Sequence, residues 1–241
     1  AFIMIHGTPG EKGRLQGYLE MMRIPFSTGD VLCTALTANK FVCKNYLGAF
    51  GIHTPECSLI HKDKAYHIPE IIDKVGLPCF VKPNNGGSSF GTSKVKKAEE
   101  MEEAIQKAFH EDPEVIIESF VKGTELSCGL LKMLHEELIL PVTEIVSMNE
   151  FFDFEAKYTV GMADEITPAR IPDELHKNCQ LLASEIYDLV NCRGLVRVDF
   201  IVEQERIYFL ELNTVPGMSK ESIVPKQIRE AGLKEKDVIQ K

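Results

Sequence analysis

Nowhere in this chain of 241 residues is there an apolar run long enough to span a bilayer. None of its seven cysteines falls in a Cys-x-x-Cys spacing. The first absence excludes a helical membrane anchor within these residues. The second removes the common cysteine-based zinc and redox motifs, and thiols scattered among apolar neighbours read as reduced core cysteines of a cytosolic protein. Positive charge is also in short supply, the formal net charge being -9. That argues against nucleic acid or an anionic membrane as the main partner, since both reward clustered Lys and Arg. Internal repeats and low-complexity tracts are missing as well. What is present is 44% hydrophobic and 26% charged, the composition of a soluble globular protein with one large or two ordinary domains.

The chain opens on Ala1-Phe-Ile-Met-Ile-His6, which reads as a buried strand with no leader before it. A fold entered on such a strand is expected to have further residues upstream. Turn formers follow to Gly13, then a helix from about Arg14 to Met22. Asn39 to Phe50 is a second amphipathic helix, closed by Gly51. A short strand, Cys79-Phe-Val-Lys-Pro83, leads into Asn84-Asn-Gly-Gly-Ser-Ser-Phe-Gly91. The stripe Met101, Ile105, Ala108 and Phe109 marks a helix whose first turn is rich in glutamate, where the helix dipole favours it. Beyond Glu125 the pattern becomes strand-rich, interrupted by a long helix over 173–190. The stretch 148–164 has no clear period but carries many aromatics and acids, and loops of that length inside a domain are usually functional or disordered.

The most informative pattern is Arg197-Val-Asp199 followed by Glu211-Leu-Asn213. Both triplets end apolar/polar alternating runs with a short Glu203-Gln-Glu-Arg link between them, which predicts a hairpin. Asp199 should then lie opposite Glu211 and Asn213, whose side chains share one face while Leu212 takes the other. Two carboxylates and an amide oxygen make a hard, all-oxygen set of the kind Mg²⁺ takes alongside substrate phosphates. A polar hairpin face with solvated acids fits the same spacing. The Gly-rich stretch 86–91 has the makings of a phosphate cradle, because glycines let backbone N–H groups approach an anion. It is neither a Walker A motif nor a dinucleotide fingerprint, since no Gly-Lys-Ser/Thr follows and the next element is a strand. Alone, it reads equally as a flexible hairpin tip.

In order along the chain stand His6-Gly-x-x-Gly-Glu-x-Gly-x-Leu-Gln-Gly17, Val81-Lys-Pro-x-x-x-Gly-Ser-Ser-x-Gly91, Phe152-Asp-x-Glu-Ala-Lys-Tyr158, Arg197-Val-Asp199 and Glu211-x-Asn-Thr-x-Pro-Gly-Met218. Together they resemble the ATP-grasp superfamily, and closely its D-alanine–D-alanine ligases. The resemblance implies a mixed α/β and α+β protein of ATP-grasp fold, with two α+β subdomains sandwiching ATP behind a truncated α/β N-terminal domain. The expected boundaries are 1–28 for the remnant of the substrate domain, 29–121 for the central subdomain and 122–241 for the C-terminal one. It also implies a cytoplasmic homodimer that uses ATP as co-substrate and Mg²⁺, or Mn²⁺, to join two D-alanines for peptidoglycan and cell-wall synthesis.

The resemblance further assigns roles. Lys40, Lys82 and Lys157 match the lysines on the ATP phosphates, with Ser89 in the Gly-rich loop. Glu118, Phe120 and Val121 match the adenine contacts, and Glu125 the ribose contact. Ser88 and Tyr158 match a hydroxyl pair that helps position the first substrate, and Arg197 and the Gly217 amide match the groups that steady the oxyanion. His6 and Ser222 match substrate-binding residues; Ser222 also reads as a plain helix N-cap. Asp199, Glu211 and Asn213 match the metal ligands. Lys12, Asn39, Phe152 and Phe154 depart from the family pattern, without removing a residue of assigned role. The family's first Gly-rich motif, with the glutamate that holds the first D-alanine's ammonium, is not found, so this stretch is expected to bind ATP better than D-alanine. Three alternatives stay open. A ligase taking D-lactate or D-serine second is disfavoured by Tyr158, and a kinase that stops at phosphorylation by Arg197, Gly217 and Ser222. A nucleotide-binding module without turnover is disfavoured by the intact acidic set.

Overall fold

The computed structural model describes residues 1–87, 89–147 and 163–240. They group into two compact units, one of residues Ala38–Lys122 with Ser147 and Ala163, the other of Ala1–Thr37, Gly123–Val146 and the residues from Asp164 onward.

The discontinuous unit begins with α1 (Arg14–Met21) and α2 (Val31–Ala38). The stretch 1–6, expected as a buried strand, carries no regular secondary structure and joins neither sheet. Its hydrogen bonds go instead to residues 25–27: Ser27 N donates to Ala1 O (3.1 Å) and Ile3 N to Ser27 Oγ (3.0 Å). Ile3 packs with Leu19 and Val215, whereas Phe2 and Ile5 stay exposed.

The central unit opens on α3 (Lys40–Gly48). Gly51 N donates to Gly48 O (3.0 Å) and Ile52 N to Leu47 O (3.3 Å), with Gly51 at φ 84. That is the Schellman ending, and it needs the left-handed residue that glycine adopts without strain. There follow β1 (Cys57–His61), α4 (Ile68–Val75), β2 (Cys79–Pro83), β3 (Ser93–Val95), α5 (Met101–Glu111) and β4 (Glu114–Ser119), the strands forming an antiparallel sheet ordered β1-β4-β2-β3. Cys79, Val81, Val115 and Ile117 bury one face against Ile71, Val75, Met101, Ile105 and Phe109. Strand alternation turns Phe80, Lys82 and Glu118 to the other face.

The discontinuous unit resumes with β5 (Thr124–Lys132), β6 (Glu137–Ile139), β7 (Thr143–Ser147), β8 (Ala163–Ile166), α6 (Asp173–Leu189), β9 (Val196–Glu203), β10 (Arg206–Asn213), α7 (Ile223–Glu230) and α8 (Glu235–Ile239). Its sheet runs β10-β9-β5-β7-β8, with β6 on β5. Val196, Val198, Phe200 and Val202 are buried at alternate positions along β9, with Asp199 buried among them, while Val224 and Ile228 of α7 pack on Leu131 and Leu140. All seven cysteines are buried, and none forms a disulfide. Burial pushes the Cys79 thiol up to about 11 and the Cys179 thiol up to about 12.

The β9–β10 hairpin is closed by Gln204 and Glu205 at φ 48 and φ 70. Two consecutive left-handed residues suit the type I′ turn that matches strand twist, but only Asn and Gly take that conformation readily. Replacing the pair by Asn-Gly is expected to stabilise the protein by about 1 kcal/mol, read as a higher urea midpoint at unchanged slope.

Candidate active site

The hairpin brings the acidic residues together as the alternation predicts. Glu211 pairs directly with Asp199, and Asn213 with Arg197. On the neighbouring strand Ser127 pairs with Asp199, so five polar side chains share one face of three strands. A register shift between Phe209 and Glu211 lets Phe209 and Leu212 both point into the core, which leaves Glu211 and Asn213 on the polar face.

Asp199 is the hub. Arg197 grips it in two-pronged fashion, Nε donating to Oδ1 (2.9 Å) and Nη2 to Oδ2 (2.7 Å). Ser127 Oγ donates to Oδ1 (2.7 Å), and Asn213 Nδ2 to Oδ2 (3.0 Å). Burial works against the Arg197 charge, but Asp199, Glu211 and Glu165 outweigh it and raise its pKa further. The guanidinium is thus a permanent cation held at the edge of an acidic patch. Among the described residues no three His, Cys, Asp or Glu side chains converge for a metal. The hairpin supplies two carboxylates and an amide, a set that fits a cation completing its shell with water and phosphate oxygens.

The central unit carries a basic counterpart. Glu118 is 2% exposed and receives two lysines: Lys82, in direct contact with Oε2, and Lys44, 3.1 Å from Oε1 and itself 1% exposed. The Lys44 contact is an ion pair whose alignment falls short of a directed hydrogen bond. Burial alone would push the Glu118 carboxyl up; the two ammonium groups outweigh it and hold it down at about 2. Lys40 Nζ donates to the Gly86 oxygen in the Gly-rich loop, where Ser89 adopts φ 58. Phe120 stacks at a tilt on Phe80, ring centroids 5.9 Å apart, with Lys94 Nζ 4.0 Å from the Phe120 centroid. Pro78, Lys94, Lys96, Phe120 and Lys122 line an open recess of about 500 Å³. Val121 lies beside it, half-buried. An aromatic floor rimmed by ammonium groups suits a flat, anionic ligand.

Other expected site residues fall elsewhere. Glu125 is on β5, paired with Ile145 and Ile201. His6 is exposed, its Nδ1 3.6 Å from Glu11 Oε1. Ser222 stands at the head of α7 but does not cap it with its side chain; its hydroxyl shares a 2.7 Å hydrogen bond with Ser219 Oγ. A Cβ on Gly217 would sit 2.8 Å from Ser222 Oγ. Gly217→Ala is therefore expected to push the Ser222 hydroxyl aside; under the roles that the resemblance implies, this raises the KM for the second substrate several-fold and leaves that for ATP unchanged. Ser88, Lys157 and Tyr158 lie outside the described residues.

Sequence reasoning missed Lys44, Ser127 and Lys94. Lys44 had a signal, because it sits beside the Cys43/Leu47 stripe of α3, all three being buried. Ser127 and Lys94 carry none, since only strand register brings them to their partners.

Two α+β units with antiparallel sheets, one basic and aromatic, the other bearing an acidic hairpin, define an ATP-grasp enzyme. The family model described as the D-ala D-ala ligase C-terminus matches residues 47–241. A D-alanine–D-alanine ligase of Bacteroides fragilis is 54% identical over 240 residues, covering 99% of this chain and 74% of that protein. One from Phocaeicola vulgatus is 52% identical over the same shares. Among solved structures, the VanG D-Ala:D-Ser ligase of Enterococcus faecalis superposes with a TM-score of 0.91 at 35% identity, covering all of this chain and 70% of that one. The Bacillus anthracis D-alanine–D-alanine ligase complexed with ATP gives 0.86 at 30% identity, covering 100% and 76%. The chain belongs to the D-alanine–D-alanine ligase family.

Proposed function

We propose that the chain catalyses ATP-dependent ligation of two D-alanines to D-alanyl-D-alanine, ADP and phosphate, a cytoplasmic step toward peptidoglycan carried out by a homodimer. The observation that carries this reading is the Arg197–Asp199 pair facing Glu211 and Asn213, a fixed cation beside a hard oxygen donor set. In this reading residues 1–28 belong to the substrate domain, and 29–121 and 122–241 to the two nucleotide-holding subdomains. Lys40, Lys82, Lys157 and Ser89 hold the phosphates, Glu118, Phe120 and Val121 the adenine, and Glu125 the ribose.

The γ-phosphoryl group passes to a carboxylate oxygen of the first D-alanine as its bond to the ADP oxygen breaks. The amine of the second then forms a C–N bond at the acyl carbon, loses a proton, and phosphate leaves with the acyl C–O bond broken. Negative charge develops on oxygen in both steps, so fixed positive groups aimed there lower the barriers. Arg197, held rigid by Asp199, and the Gly217 amide face the oxyanion; Ser222 receives the second carboxylate and His6 lies by the first substrate. Ser88 and Tyr158 orient the first substrate. Asp199, Glu211 and Asn213 would hold Mg²⁺ or Mn²⁺, which when bound neutralises phosphate charge.

The test is phosphate release with ATP and Mg²⁺ in the presence of D-alanine, L-alanine, or D-alanine with D-serine or D-lactate, the product being weighed by mass spectrometry. Release with D-alanine alone and a D-alanyl-D-alanine mass are expected. A mixed product with D-serine made in preference, the activity named for the VanG relative, would move the second substrate to D-serine. Release independent of any D-amino acid would overturn the ligase reading.

A further inference from the structure

The helix that begins at Lys40 and the loop that follows Lys82 meet at one buried side chain, Asn84, which has no exposed surface (0%). A helix start leaves its first N–H donors without intrahelical partners, and in α3 those of residues 40–42 are all accounted for. Val42 N donates to Asn39 Oδ1 (2.9 Å), while Cys43 N makes the first intrahelical bond, to Asn39 O (2.9 Å). The other two go to Asn84: Lys40 N donates to its backbone oxygen (3.2 Å), and Phe41 N to its Oδ1 (2.9 Å). Asn84 Nδ2 in turn donates to Glu114 Oε2 (2.8 Å), which also receives Asn85 Nδ2 (3.3 Å) and Asn39 Nδ2 (3.5 Å). Asn84 N donates to the Glu114 backbone oxygen (2.9 Å). The next loop residue is held in the same way, Asn85 N donating to Asp112 Oδ2 (3.2 Å).

We propose that Asn84, oriented by Glu114, is a positioning residue for the nucleotide phosphates. Through it Lys40 is fixed relative to Lys82, two residues earlier on the same chain, and to the loop that Lys40 grips at Gly86. The inference rests on the reading of both lysines as phosphate ligands of an ATP-dependent ligase. The site demands asparagine. One short, planar group must accept from Phe41 N and donate to Glu114, and only an amide does both. Aspartate would set a second carboxylate against Glu114; alanine would leave the Phe41 N–H buried without a partner.

The partnership can be reversed. In N84D/E114Q the carboxylate at 84 still accepts from Phe41 N, and the amide now at 114 donates to it. ATP binding to the full chain is measured by calorimetry in wild type, N84A, N84D, E114Q and N84D/E114Q, alongside D-alanine-dependent phosphate release. N84D is expected to weaken ATP binding and kcat/KM for ATP about tenfold or more, with the KM for D-alanine unmoved. N84D/E114Q is expected to recover most of that loss. N84A, which adds no charge, should fall between wild type and N84D. Wild-type ATP affinity in N84D, no recovery in the double variant, or an equal rise in both KM values would overturn the assignment, as would a wild-type chain that binds no ATP. If the variants order as expected in ATP binding while even wild type releases no phosphate with D-alanine, the ligase reading fails and the positioning role stands.

Discussion

Replacing Glu211 by glutamine is expected to abolish Mg²⁺-dependent turnover, with kcat falling about a thousandfold or more, while the protein stays folded. The change preserves side-chain volume and removes only the charge. Glu211 belongs to the polar face of the hairpin, whereas Phe209 and Leu212 supply the buried contacts of the same strand, so the core has no reason to respond. The charge, in contrast, is half of the carboxylate pair that Glu211 makes with Asp199 across the ladder. Removing it leaves Asp199 alone, and Asp199 is already engaged by Arg197, Ser127 and Asn213. Turnover is measured at saturating ATP over a Mg²⁺ titration, with the thermal midpoint as control. A wild-type rate in the variant would sink the metal assignment.

The largest expected effect on stability is that of Glu118→Gln. Lys44 is buried to 1% exposure and Glu118 to 2%, so the variant leaves one ammonium inside the protein without its counter-charge. Breaking a buried pair in this way costs about 3–5 kcal/mol, which for a chain of this size lowers the thermal midpoint by on the order of 10 °C. The dependence on pH follows from the same geometry. The Glu118 carboxyl is held down at about 2 from an ordinary 4.5, so its contribution is complete above the ordinary value and is lost as pH falls toward the lower one. Wild type should therefore lose stability between about pH 4.5 and 2 more steeply than the variant. Denaturant midpoints across that range check it; parallel curves for the two proteins would remove Glu118 as the cause.

What the sequence disclosed and what it withheld divide along physical lines. The facing of Asp199 and Glu211 was legible because a period of two and a short link leave few registers for a hairpin. The shift beyond Phe209 was not, since a bulge is an adjustment of backbone to packing and has no residue signature here. The stretch 1–6 forms no strand among the described residues, because apolar alternation signals a buried face without naming what covers it, here Leu19 and Val215 around Ile3. Lys82 was legible through the family pattern, yet its partner in neutralising Glu118, Lys44, belongs to no motif and is found only from the packing of α3. Asn84 and Glu114 were invisible for a different reason. Each is an ordinary loop or strand-end residue, and their role exists only where strand order sets β4 beside β2.

Burial of every cysteine also gives the molecule internal clocks. Cys43, Cys57 and Cys79 belong to the central unit, and Cys33, Cys128, Cys179 and Cys192 to the other. A covered thiol reacts with an alkylating reagent only when its surroundings open. The order in which the two sets acquire label would give the opening rate of each unit separately, in native buffer and without any substitution.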